Sequence, residues 1–315
     1  MTRKEIGVLL LLVVLCAIVA AASPQFLSVT NLQNVGRLVG TYGVFSIGVG
    51  IVIVSGGIDL SVGSICALLG VLLSMMLVEW HWPAGLALAA VIALGAALGA
   101  VHGLLIGRLR LQPFIVTLCG LLLYRGAARY IADDSTKGFG TGDGFEWMRA
   151  LASGSVAGVP MPFVIMCVMA LAAWLLMHRS VYGRHLFAVG NNEEAARYSG
   201  VNTRGVIAGA YVISGTLAAV SAVIIAFYTN SVSPASHGNF YELYASAAAV
   251  GGGCRLRGGE GSVLGIVMGA ALLQVLRNLV NLLDIPSSLD FAVMGAVILI
   301  GALADELLGR RRVKR

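Results

Sequence analysis

Ten apolar runs, separated by short polar or Gly/Pro-marked stretches, restrict what this chain can fold into more than any other feature. They fall near residues 6–22, 38–55, 61–78, 84–106, 112–131, 160–177, 206–227, 243–253, 261–283 and 289–308, the eighth being short. A bilayer-spanning helix takes roughly 20 mostly apolar residues, so ten of them use about 200. Of the 315 residues, 58% are hydrophobic and 11% charged, against roughly 25% charged in soluble domains. Water penalises that much apolar surface; lipid does not. The expectation is an all-α polytopic membrane protein of about ten transmembrane helices. Residues 1–315 would form a single transmembrane domain in the lipid bilayer, with no separate catalytic domain.

Basic residues orient the spans. With the N-terminus in the cytoplasm, the inner side collects Arg3 and Lys4, Arg108 and Arg110, and Arg179, Arg184, Arg197 and Arg204. It also takes Arg255, Arg257 and the tail from Arg310 to Arg315, so that fifteen of the 21 Lys and Arg lie inside. An even number of spans puts both termini in the cytoplasm. The basic tail then reads as a topology anchor near anionic lipid, with no nucleic-acid partner. Arg3 and Lys4, followed by an apolar run ending in Ala20-Ala21-Ala22, look like a signal peptide. The run is long for one and further spans follow, so an uncleaved first helix is expected.

Glycines at four-residue spacing, Gly95-Gly99-Gly103-Gly107 and Gly261-Gly265-Gly269, each lie on one helix face and predict close helix packing. Cys16, Cys66, Cys119, Cys167 and Cys254 are scattered without a CxxC pair. They read as reduced apolar fillers. None of the three lysines, Lys4, Lys137 and Lys314, follows a glycine. That excludes a P-loop, which needs a Gly-Lys pair to cradle and reach phosphates. HExxH and GxSxG are absent, and the five histidines do not cluster in sequence. The chain is therefore expected to be no enzyme and to hold no metal and no cofactor of its own.

Four polar constellations interrupt the apolar frame. The first is Ser55-Gly56-Gly57-Ile58-Asp59-Leu60-Ser61-Val62-Gly63-Ser64. An acid at membrane depth costs about 2.5–3.5 kcal/mol on insertion scales. Asp59 therefore needs a compensating role: N-cap of the helix that follows, contact to substrate, or both. The second, Gly251-Gly252-Gly253-Cys254-Arg255-Leu256-Arg257-Gly258-Gly259-Glu260-Gly261-Ser262, repeats the device of a glycine break before a Gly-Ser helix start. Paired breaks in the two halves of a transporter point to its pathway, although the expected topology makes this pair parallel. The third is the inward segment 190–202. Asn191 with Glu194 fits a capping box, Glu193 with Arg197 an i,i+4 ion pair, and Gly200 a helix stop. It predicts a short polar helix on the cytoplasmic side, either a solvated loop or a docking surface. The fourth ends the fifth run, where Arg125, Arg129 and Asp133 follow at one-turn spacing and predict an Arg129–Asp133 ion pair. Those arginines either snorkel to the interface or meet substrate.

Together these segments resemble the permease subunits of ribose-type sugar ABC importers, over about residues 25–308. GGIDLSVGS at 56–64 is similar to that family's most recognisable stretch, and NEEAARYSGVN at 192–202 to its cytoplasmic loop. YEL at 241–243, the Ala-rich run after it and GG…GG…GS at 252–262 fit its C-terminal half. Two departures stand out. Tyr244 occupies a position where the family usually has an acid. GGCRLRGGEGS replaces the family's GGTS and following GG-basic stretch, which changes Cys254, Arg255, Arg257 and Glu260.

The resemblance implies a permease domain of the bacterial inner membrane with a cytoplasmic coupling loop at about 178–205 and an outer loop at about 132–159. It implies a second permease copy or paralogue, a cytoplasmic ATP-binding subunit that holds the ATP, and a periplasmic sugar-binding protein. The expected function is alternating-access import of a monosaccharide or similar small polar solute. A stand-alone ion-coupled secondary transporter is the alternative. Gly56, Gly57, Asp59, Ser61, Arg125, Glu242 and Tyr244 are the candidate pathway residues. Asn192, Glu193, Glu194, Arg197 and Tyr198 are the candidate couplers to the ATPase.

Overall fold

The computed structural model describes residues 3–140, 144–284, 289, 292, 295 and 296. In chain order its helices are α1 (Arg3–Ala22), α2 (Val29–Val54), α3 (Val62–Ser74, prolonged by a π-helical turn Met75–Glu79), α4 (Ala84–Gly107) and α5 (Pro113–Ile131). There follow α6 (Glu146–Ser153), α7 (Met161–Trp174, prolonged by Leu175–Arg179), α8 (Val181–Asn191), α9 (Glu193–Tyr198), α10 (Thr203–Thr229), α11 (Tyr241–Gly251) and α12 (Val263–Leu282). Eight of them, counting the two π-prolonged ones whole, are long and apolar enough to cross a membrane: α1 to α5, α7, α10 and α12. They answer to eight of the ten apolar runs. The eighth run forms α11, whose 11 residues reach only about 16 Å, half of a hydrocarbon core. The run at 289–308 lies largely outside the described residues.

Helix starts follow from local chemistry. The hydroxyls of Ser28, Ser180 and Ser262 and the amide oxygen of Asn202 each accept from a backbone N–H three residues on, at 3.0–3.3 Å. They satisfy orphan amides at the starts of α2, α8, α12 and α10. Pro113 and Pro162 sit in the first turns of α5 and α7, where a missing N–H costs nothing.

Helices α2, α3 and α10 form the buried centre, while α1, α4, α5 and α7 surround it. The outer helices turn large apolar side chains away from the protein: Leu10 is 60% exposed and Leu122 65%. Lipid tails are as apolar as leucine, so this surface carries no penalty in a bilayer, and close packing does the assembling. The two glycine ladders supply it. A Cβ at Gly95, Gly99 or Gly103 would overlap α10 at Gly215, Tyr211 and Ala208 respectively. In α12, a Cβ at Gly265 or Gly269 would strike the backbone of α11 at Gly252 and Ala248.

Within the segment 132–159, expected as the outer loop, the described residues form local structure. Strand β1 (Lys137–Gly138) pairs antiparallel with β4 (Ser231–Val232), and β2 (Ser155–Val156) with β3 (Val159–Pro160). Phe139, Phe145 and Phe227 gather beneath, with the Phe139 and Phe227 rings 4.5 Å apart. The expected Arg129–Asp133 pair does not form. α5 ends at Ile131, and Asp133 and Asp134 both take positive φ, so helical spacing lapses. Arg129 instead makes a two-pronged contact with Asp134 at 2.6 and 2.9 Å. That hydrogen bond holds the Asp134 carboxyl below its ordinary range.

Gly99 and Gly85 make a matched test of the packing argument. Gly99→Val drives a side chain into the α10 backbone, whereas a Cβ at Gly85 meets nothing. Overpacking costs about 1–3 kcal/mol. Gly99→Val should lower the thermal midpoint in detergent measurably, and Gly85→Val should leave it unchanged; equal midpoints would refute the α4–α10 assignment.

Candidate functional site

The break between α2 and α3 is built on hydrogen bonds that replace those the helix loses. Gly56 turns the chain at φ +85°. Gly57 packs against the Tyr211 hydroxyl, where a Cβ would collide. The freed carbonyl of Ile58 accepts from Tyr211 Oη at 3.0 Å and Thr117 Oγ1 at 3.3 Å. Asp59 is 1% exposed. Its Oδ1 accepts from the Ser61 N–H at 3.0 Å and the Ser61 hydroxyl at 2.6 Å, and its Oδ2 from the Ser214 hydroxyl at 2.8 Å.

This corrects the capping expectation. The N-cap position of α3 belongs to Ser61, whose side chain makes no cap hydrogen bond. Asp59 lies two residues earlier and ties that N-cap residue to α10. Neither Asp59 nor Ser61 faces open space in this subunit.

His102 completes the cluster. Its Nδ1 lies 3.4 Å from Ser61 Oγ and its Nε2 2.9 Å from Tyr124 Oη. Ser61 already gives its proton to Asp59. A neutral ring with Nδ1–H directed at Ser61 and Nε2 accepting from Tyr124 therefore serves every group. Sequence reasoning treated His102 as one of five unclustered histidines. The available signal was its position between Gly99 and Gly103, on the α4 face that packs inward.

The second set of candidates meets the first at the start of α3. Arg125 Nη1 donates to the carbonyls of Pro234 and His237, at 3.0 and 2.6 Å, and so pins the loop before α11. Glu242, in the first turn of α11, is buried. Its carboxylate and the Gly238 carbonyl occupy the space a side chain at Gly63 would need. Tyr244 stands apart, in an aromatic cluster. Its ring lies 5.9 Å from that of Tyr42 and 5.9 Å from the Arg277 guanidinium. Tyr42 also packs on Phe45 and Tyr241, and Arg277 Nη1 donates to the Tyr42 hydroxyl at 3.3 Å.

The proposed coupling segment folds as a helix, with its internal contacts shifted by one residue. α9 starts at Glu193, so Asn192, not Asn191, is its cap, accepting from Ala195 N–H at 3.0 Å. Glu193 turns to the start of α10 and accepts from Thr203 Oγ1 at 3.2 Å. Arg197 pairs with Glu194 at 3.8 Å instead of with Glu193, and its guanidinium lies over the Tyr198 ring. Gly200 ends the helix at φ +85°, as its sequence position suggested. Tyr198 is 83% exposed.

A cavity of about 420 Å³ separates α9 from the break, lined by Gly56 and Gly57 on one side and Glu193, Glu194 and Arg197 on the other. Arg110 and Gln112, from the turn before α5, complete its wall. Beside it three backbones converge without side chains. The Gly259 N–H donates to the Val54 carbonyl at 2.9 Å. A Cβ at Gly190 would overlap both Val54 and Gly259, and one at Gly258 would crowd Gly56. The end of α8, directly before α9, therefore touches both glycine breaks.

Residues 31–302 match the family described as branched-chain amino acid transport system / permease component. The ribose import permease protein RbsC of Escherichia coli (strain K12) is 39% identical, over 94% of this chain and 92% of its own length. The ribose import permease protein RbsC of Haemophilus influenzae is 35% identical, over 96% and 93%. The D-allose transport system permease protein AlsC of Escherichia coli (strain K12) is 31% identical, over 96% and 92%. No solved structure matches the chain.

Two substitutions separate structural from charged roles at the break. Asp59→Asn keeps an acceptor for Ser61 and offers its amide to the Ser214 oxygen. Transport should stay within severalfold of wild type. Asp59→Leu orphans three buried donors at about 1–3 kcal/mol each, and folded protein should be lost from detergent extracts. Loss of transport in a well-folded Asp59→Asn protein would instead make the charge itself essential. At the backbone junction, Gly190→Ala should insert normally but transport at least about tenfold more slowly, since even a methyl forces apart packed elements that cannot yield.

Proposed function

The chain belongs to the branched-chain amino acid transport system / permease component family, and on that premise we propose that its own solute is a monosaccharide or a chemically similar small polar molecule. It is the permease subunit of an ATP-binding-cassette importer and sits in the bacterial inner membrane. The solute reading is supported by relatives that match nearly the whole chain and are named for ribose, D-allose and xylose. It also agrees with the break region, where Asp59 is saturated by hydroxyl and amide donors and presents no free charge to a passing solute.

The observation that carries the mechanism is the shared cavity between α9 and the break at Gly56 and Gly57. A separate cytoplasmic subunit binds and hydrolyses ATP, and this chain hydrolyses none. That subunit docks on the exposed face of α9, around Glu194 and Tyr198. Its closure displaces α9, and the displacement passes two ways. Through Glu193 and Thr203 it reaches the start of α10. Through Gly190 it reaches both glycine breaks.

A second permease copy or paralogue completes the pathway, and a solute-loaded periplasmic binding protein docks on the outer loops 132–159 and 228–242. Arg125 transmits that docking, because it holds the carbonyls of the second loop from within α5. Glu242 meets Gly63 where the first turn of α11 packs on the start of α3, and this close contact is the narrow point of the pathway. Directional transport requires a state with low affinity for the solute, and the glycine-lined junction offers little for a sugar to hold.

The test is affinity purification of the full chain from native membranes, followed by reconstitution and uptake of labelled ribose, xylose and D-allose. Co-purification of a P-loop ATPase and ATP-dependent uptake of one of these sugars is the expected outcome. Uptake that follows an ion gradient without any ATPase would overturn the mechanism; ATP-driven uptake of a branched-chain amino acid alone would overturn the solute. Glu194→Lys combined with Tyr198→Ala should leave membrane insertion intact, weaken retention of the ATPase and cut transport by about tenfold or more, the loss of one or two interfacial anchors.

A further inference from the structure

A second cavity, of about 480 Å³, lies between α4 and α10 at the end of the molecule that carries α9. Gly103 and Ala208 form its floor, and Leu104 and Val212 its apolar sides. Arg108 and Arg204, both exposed, also line it. The cavity opens outward: Leu104 and neighbouring Val101, on the same stretch of α4, belong to the apolar surface the helix turns to lipid. It plays no part in the cluster around Asp59 or in the α9 cavity.

Its charge is one-sided. Arg108 directly follows the last residue of α4, and Arg204 is the second residue of α10. Among the described residues neither side chain makes a hydrogen bond or ion pair, and no carboxylate lines the cavity. The positive end of a 27-residue helix adds to the same spot. Positive charge thus accumulates where α4 ends and α10 begins, above a slot that is apolar along its depth. The distribution of basic residues assigns this end to the cytoplasm, the side whose leaflet presents anionic headgroups, and basic pockets between helices at that level suit them.

We infer that this groove binds one anionic phospholipid of the inner leaflet, its phosphate between Arg108 and Arg204 and part of an acyl chain lying over Gly103 and Ala208. The length of α10 links the groove to the transport machinery, because Glu193 grips Thr203, the residue beside Arg204. A bound lipid therefore braces the joint through which α9 acts.

The full chain, reconstituted in phosphatidylcholine nanodiscs with a minority of phosphatidylglycerol and then released for native mass spectrometry, provides the test. The wild type should retain one phosphatidylglycerol per chain. R108Q/R204Q should retain about thirtyfold less, the attraction of two arginines for anionic lipid. R108K/R204K, which keeps the charge, and R184Q, which removes a different exposed arginine at the same face, should both retain it. Equal retention by R108Q/R204Q would overturn the inference, as would equal loss in R184Q, which would mean diffuse charge. Displacement of the lipid by inorganic phosphate would reduce the site to a bare anion patch and also overturn it. Loss of the co-purified ATPase in R108Q/R204Q with lipid unchanged would reassign the arginines to a protein contact.

Discussion

A backbone carbonyl or amide that leaves a helix and is buried from water must find its hydrogen-bond partner within the protein. Residues 55–61 do so partly within their own turn, where the Gly56 and Gly57 N–H groups donate to the Ile53 and Val52 carbonyls, and partly through side chains from elsewhere in the subunit. The Ile58 carbonyl is served from α10 and α5 by Tyr211 and Thr117, and Asp59 gathers donors from Ser61 and Ser214. His102 and Tyr124 extend the network into α4 and α5. This one turn between two spans thereby fixes the positions of α3, α4, α5 and α10 relative to one another. The same network explains how an acid is kept buried: its two oxygens receive three hydrogen bonds, and a carboxylate so served recovers much of its lost hydration.

Close backbone contact is the second organising element, and it has mechanical consequences. Where Gly190, Val54 and Gly259 meet, no flexible side chain lies between the strands of backbone. A displacement at the end of α8 has no soft intermediary to absorb it. The glycines of α4 and α12 act likewise, bringing α10 and α11 to backbone contact. In a solvent as apolar as the side chains themselves, such packing replaces the hydrophobic drive that assembles soluble cores.

Interior cations follow a consistent rule. Arg125 is given carbonyl oxygens and Arg277 an aromatic face with a phenol oxygen. These contacts offset part of the cost of desolvating each guanidinium. Tyr244, at a position where ribose-type permeases usually carry an acid, supplies such a face to Arg277. The charge change noticed in the sequence is therefore compensated locally instead of being left open to the pathway.

The sequence alone determined what depends on composition and short-range spacing. The apolar runs fixed an all-helical membrane fold, because lipid admits no other reading of so little charge, and the four-residue glycine spacing marked the packing faces. Gly56 and Gly200 marked a break and a stop because only glycine takes those backbone angles cheaply. Contacts between distant segments lay beyond its reach. Nothing near Asp59 in sequence announces Ser214, 155 residues away, and His102 gains its role only when α4 packs beside the break. The Asn192 cap and the Arg129–Asp134 pair differ by one residue from their expected forms, because helix ends are settled by neighbouring elements and not by local pattern. Tertiary structure also decided that α11 is too short to cross a bilayer and that the α8 end touches both breaks. These outcomes depend on which backbones approach closely, a property of the assembled helices that no single segment encodes.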